Sequence, residues 1–154
     1  MYAVLLWLHS ATRWLVLLSL FYAIYTAARG YFRMRPFTGA ANRIRHWTAT
    51  LAHLQLTIGM ILYFQSPIVK LSPAAIDNPA VVREISFFKY LHIALMLLAV
   101  IMITIGSAAG KRAAIDRQKY RIMLYWFAAA LLMILLAIPW PFSPFAHRPY
   151  IRIY

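Results

Sequence analysis

Four polar side chains interrupt long apolar runs in this chain: His9, Arg13, His53 and His92. A polar group at membrane depth is costly, so it has a partner or a task. Counted from the ends of their runs at the helical rise, His9 lies about 10 Å deep on a first helix and His92 about 8 Å deep on a third. In an up-and-down bundle the first and third helices are diagonal, so two imidazoles at one level can point across the core at a common centre. Two neutral imidazole nitrogens on opposite sides of a flat macrocycle are what a haem iron takes as axial ligands. The alternative for each histidine is a buried ring satisfied by a backbone carbonyl. No Asp or Glu falls inside the apolar runs, which argues against a carboxylate relay for proton or cation transport.

Arg13 is one turn below His9, and Lys89 precedes His92 by three residues. These cations are placed to neutralise the two propionates of a haem near the outer face, or to snorkel to headgroups. His53 is expected near the midplane, about 20 Å from the outer end, on a face shared with His46, Thr50, Thr57 and Met60. Four readings stay open for it: a fifth ligand, a substitute for one of the outer pair, a hydrogen-bond partner of a quinone carbonyl, or a histidine bonded to a neighbouring Thr. His46 and His147 read as interfacial polar residues, and Met96 as a remote alternative axial ligand. Ser19, Ala23, Ala99 and Gly106 leave room for a large ligand or allow helices to pack closely.

The elements that must position these residues are membrane helices. At 64% hydrophobic and 12% charged, the 154-residue chain is far from a soluble balance. Runs at 2–28, 44–65, 87–109 and 121–140 are each long enough to cross a hydrocarbon core, giving an all-α integral membrane fold with a four-transmembrane-helix up-down-up-down bundle as a single domain over 1–154. The first run has no basic leader and exceeds a signal-peptide core in length, so it is expected to remain as helix 1. The net charge is +13. Ten of the sixteen basic residues lie in the connections between helices 1 and 2 and between helices 3 and 4, so the positive-inside rule places both connections in the cytoplasm and both termini outside. That clustering at run ends, without a basic helix face, excludes nucleic acid as partner. The connection 66–86, with three prolines and two of the three acids, is expected outside, and the proline-rich tail from Pro139 along the outer surface. Cysteine is absent, which removes disulfides, thiolate nucleophiles and covalently attached c-type haem.

Several short motifs carry a resemblance over nearly the whole chain: Leu8-His9-Ser10-Ala11-Thr12-Arg13-Trp14; Ala52-His53-Leu54-Gln55-Leu56 with Gly59 and Leu62-Tyr63-Phe64; Phe88-Lys89-Tyr90-Leu91-His92 with Thr104-Ile105-Gly106; and Ile138-Pro139-Trp140-Pro141-Phe142. Together they resemble a group of short bacterial membrane proteins labelled cytochrome b, and more distantly the four-helix b-type cytochromes that exchange electrons with quinones, including superoxide oxidases. The resemblance implies a haem b protein of the bacterial inner membrane, with ligands at His9, His53 and His92. Two-haem relatives supply four ligands, whereas helix 4 here has no histidine, so one haem is expected; Leu91 stands where relatives often carry an acid.

The expectation is a membrane-bound b-type cytochrome carrying single electrons, with quinone or respiratory-complex subunits as candidate partners and no catalytic residue of its own. The alternatives are a haem-free accessory subunit, in which the histidines and Arg13 tie helices together, and a superoxide:quinone oxidoreductase with cationic steering at its outer face.

Overall fold

The computed structural model describes residues 2–146 and Arg148, and among these every regular element is helical. Helix α1 spans Tyr2–Phe32 and α2 Gly39–Gln65; α3 is the single turn Pro67–Lys70 and α4 spans Pro79–Ser86; α5 runs His92–Arg112 and α6 Asp116–Ala137. His147, and the tail from 149 onward that was expected on the outer surface, lie outside the described residues.

Local chemistry sets most of these limits. Thr38 caps α2, its hydroxyl accepting from the Ala41 N–H at 3.2 Å, and Asn78 caps α4 by accepting from the N–H groups of Ala80 and Val81, with Pro79 at the first helical position. Asp116 opens α6 where the helix dipole favours an anion, and Lys119 donates to it at 3.2 Å. Helix α6 ends at Ala137, three residues before the expected limit, because Pro139 biases Ile138 toward the extended conformation it adopts (φ −72°, ψ 129°). The helices also run past the apolar stretches into the basic connections, since a bilayer-length count sees only the apolar part. The 66–86 connection, expected as a loop, holds α3, a 3-10 turn at Pro73–Ala75 and α4.

Phe87–Leu91 forms a π turn that joins α4 to α5, with the His92 N–H donating five residues back to the Phe87 carbonyl. Pro79–Arg112 is thus one continuous helical rod. That rod, α1 and α6 are three helices long and apolar enough to cross a membrane. Helix α2 has 27 residues, roughly 40 Å of helix, but Arg43, Arg45, His46, Thr48, Thr50, His53, Gln55 and Thr57 dilute its apolar character. Large apolar side chains face outward on the rods, as Leu18, Phe21, Leu132 and Leu136 do, which suits a lipid surround.

Helix α1 packs on α2 and α6, and α5 packs on α6 and α2, so α1 and α5 stand diagonally. The half of the bundle bearing the basic connections is tightly filled. Leu20, Ala23, Ala27, Ala99, Ile103, Met123, Phe127 and Ala130 are buried there. A Cβ at Gly106 would lie 2.4 Å from Trp126 Cβ, and one at Gly30 would meet the Tyr120 ring at 2.4 Å. Of the two uses open to the small residues, close helix packing is therefore the one that Ala23, Ala99 and Gly106 serve. Arg45 clamps α2 to α5: it is buried, and its Nη1 donates to the Ser107 carbonyl at 2.8 Å and hydroxyl at 2.5 Å while Asn42 takes its other side. The packing loosens toward the opposite end, where a cavity opens.

Candidate functional site

The cavity holds about 200 Å³ at the end formed by the start of α1, the end of α2, the π turn and the residues after α6. His9 and Arg13 reach it from α1, Gln55 and Gly59 from α2, and His92 and Met96 from α5. His9 and His92, expected to approach one centre from diagonal helices with Arg13 beside them, both line this cavity together with Arg13. Helical geometry accounts for the first part: His9 and Arg13 are four residues apart and lie on one face of α1. The second part depends on the π turn, which ends at His92 and sets the phase at which α5 begins.

The two imidazoles are held differently. His92 Nδ1–H donates to the Ala137 carbonyl at 2.7 Å, an acceptor made available at the last turn of α6. This fixes the tautomer and leaves Nε2 as the basic nitrogen, the arrangement a metal-bound histidine ordinarily has. Phe87 and Phe88 flank the ring, with centroids 5.7 and 5.9 Å away. His9 is packed against Gly59, where a Cβ would come within 3.1 Å of His9 Cε1, so glycine is the residue that admits the ring in this position. The Gln55 amide nitrogen lies 3.4 Å from His9 Nε2 and donates to the His9 carbonyl at 2.9 Å. His9 Nδ1 is buried and has no hydrogen-bond partner among the described residues.

Compared with family profiles, curated proteins and solved structures, the chain matches none. The site must be read from its own geometry. Among the described residues no three His, Asp or Glu side chains gather as a conventional metal centre. His9 and His92 are the two described histidines that line the cavity. Arg13 adds a cation at the wall, with its guanidinium 5.5 Å from the Trp14 ring centroid.

Two of the expected residues are placed elsewhere. Lys89 Nζ donates to the Leu71 carbonyl at 3.2 Å and does not line the cavity. It lies inside the π turn, so counting three residues back from His92 at an α-helical pitch assigns it the wrong direction. His53 is exposed on the outer side of α2, its Nδ1–H donating to the Ala49 carbonyl at 2.7 Å and its Nε2 lying 3.1 Å from Thr104 Oγ1. Of the four readings left open for His53, the histidine bonded to a neighbouring Thr is the one this placement matches.

Three residues to which the sequence reading gave no site role line the cavity: Gln55 and Gly59, present there only as part of a motif, and Arg148. Arg148, in the tail, lines the cavity, pairs with Glu84 of α4 and sits over the Phe88 ring at 5.2 Å. With Arg13 it is one of two arginines among the cavity's lining residues. Gln55 lies two residues after His53, about 200° round α2 and so on the inward face, and that offset was the available signal.

Proposed function

We propose that the chain crosses the membrane four times, α2 included, and holds one haem b between His9 and His92 to carry single electrons, as its resemblance to the short cytochrome b proteins implies. The observation that carries the reading is a pair of imidazoles from diagonal helices in one cavity. One, His92, has its Nδ1 committed to a carbonyl, which leaves its Nε2 as the basic nitrogen. When bound, the haem supplies a one-electron iron couple. His9 and His92 hold and orient it, Phe87 and Phe88 keep water from the His92 side, and Arg13 and Arg148 offset anionic groups at the rim. An inner-membrane location with outward termini, and quinone or a respiratory-complex subunit as electron partner, belong to the same proposal. Haem quantification of the purified protein tests it: one haem per chain is expected, and no haem would favour the haem-free reading in which Gln55 and Ala137 are the histidines' partners.

Charge at the site makes a signed prediction. Arg13→Leu removes a cation beside the iron couple, disfavours the more electron-rich reduced state and lowers the midpoint potential, while Arg13→Lys lowers it less because a point charge stays. A potential unchanged or raised in Arg13→Leu, with haem content intact, contradicts the assigned role.

Topology gives another prediction, made accessible by the absence of cysteine. Arg35 lies in the α1–α2 connection and Asp77 just before α4, and both are exposed. With four crossings, a single cysteine at Asp77 reacts with an impermeant maleimide on whole cells, and one at Arg35 reacts only after permeabilisation. Equal reactivity on one side would show that α2 does not cross.

A further inference from the structure

We infer that Gln55 is a positioning residue that sets the tautomer of His9, and with it the nitrogen that His9 presents to a ligand. The site is the one described above, but the inference concerns the protein's own hydrogen bonds and does not require haem to be present. The orientation of the Gln55 carboxamide is fixed by its surroundings. Its nitrogen is 2.9 Å from the His9 carbonyl, which can only accept, and its oxygen faces the Thr12 hydroxyl. The nitrogen is therefore the donor end, and it is this end that lies 3.4 Å from His9 Nε2. A donor facing Nε2 favours a lone pair there and places the proton on Nδ1, the nitrogen that lacks a partner among the described residues.

The consequence is a matched pair. His92 is held as the Nδ1–H tautomer by the Ala137 carbonyl, and Gln55 selects the same tautomer for His9, so both rings present a basic Nε2. The two holds differ in strength. A carbonyl at 2.7 Å is a full hydrogen bond, whereas 3.4 Å is long for one, and the main attachment of Gln55 is to the His9 backbone. Gln55 can thus release Nε2 to a ligand while it keeps its grip on the carbonyl and on Thr12. Gly59 supports the same ring from one turn along α2, leaving it the space it occupies.

Nitrogen-15 spectra of histidine-labelled, haem-free protein in lipid nanodiscs test this, with the His9 signals assigned by their loss in His9→Ala. In the wild type His9 should show a protonated Nδ1 and an unprotonated Nε2. Gln55→Leu, which removes the donor, should shift His9 toward the Nε2–H form. Gln55→Glu, which puts an acceptor where the donor was, should shift it further. The His92 and His53 signals should stay in place and report an intact fold. Thr12→Val, a milder change that frees the carboxamide oxygen, should move His9 in the same direction by less, and it serves if the Gln55 variants do not fold. In haem titrations Gln55→Leu should bind roughly 10–100-fold more weakly, the range for removing a partner that orients a ligand. A wild-type His9 with its proton on Nε2, or an unchanged tautomer in folded Gln55→Leu or Thr12→Val, would overturn the inference. A wild type that shows the expected tautomer and takes up no haem would leave Gln55 in its role and refute the cytochrome reading alone.

Discussion

His92→Ala and His9→Ala are each expected to abolish the low-spin haem spectrum of the proposed site while the protein still inserts and packs. The two rings contribute little to the tight half of the bundle, where Leu20, Ile103, Met123 and Phe127 lie, so their removal spares the fold. Each is one of the two histidines that would hold the haem in the proposed site, so haem affinity is expected to fall by more than the roughly 100-fold upper range for losing a supporting residue. His92→Ala is expected to be the more severe, because it also leaves the Ala137 carbonyl without its donor. Two comparison variants sharpen the test. His53→Ala, outside the cavity, should keep the wild-type bands, as should Lys89→Ala. Haem content and absorption of the four purified variants check the set, and a His53→Ala variant that loses its haem would move the site.

The second large effect is on stability. Gly106→Ala puts a methyl group 2.4 Å from Trp126 Cβ and 3.0 Å from Cγ, atoms close to the α6 backbone that cannot swing aside. Helices α5 and α6 must then separate, at a cost of about 1–3 kcal/mol for an overpacked core. Gly39→Ala is the control: its Cβ would meet only the end of the Arg43 side chain at 3.8 Å, and replacing a helical glycine in open space is neutral or stabilising. Thermal unfolding of the two variants in one detergent checks the contrast. Equal stabilities would mean that the α5–α6 contact is looser than described.

How much of this was legible in the sequence depends on which physical rule each feature obeys. His9, His92 and Arg13 stood out because polar groups are rare at membrane depth, and their meeting followed from equal depth on diagonal helices. The α6 limit could not be counted from apolar length, since Pro139 acts through the conformation of Ile138 and stops the helix early. The direction of Lys89 was lost to the π turn, which no periodicity in Phe87–Leu91 announces. His53 shares the residue type of the proposed ligands, whereas its exposed place on α2, outside the cavity, is a matter of helix rotation. Gln55 and Gly59 were hidden for the opposite reason: one amide and one missing side chain are unremarkable in a sequence, and they acquire a role only when α2 brings them against His9. Helix α2 shows the same limit at larger scale. Its polar residues lower its apolar character, yet Thr48, Arg45 and Gln55 are turned inward and bonded to α1 and α5.

The most direct test of the central claim is one pair of absorption spectra, oxidised and reduced, of the protein purified from membranes. Two histidine ligands split the iron d levels widely, so the account predicts the sharp reduced bands of a six-coordinate low-spin haem b at one haem per chain. A protein that folds, inserts and shows no haem absorption, or one whose haem is high-spin and indifferent to replacement of both His9 and His92, would contradict it.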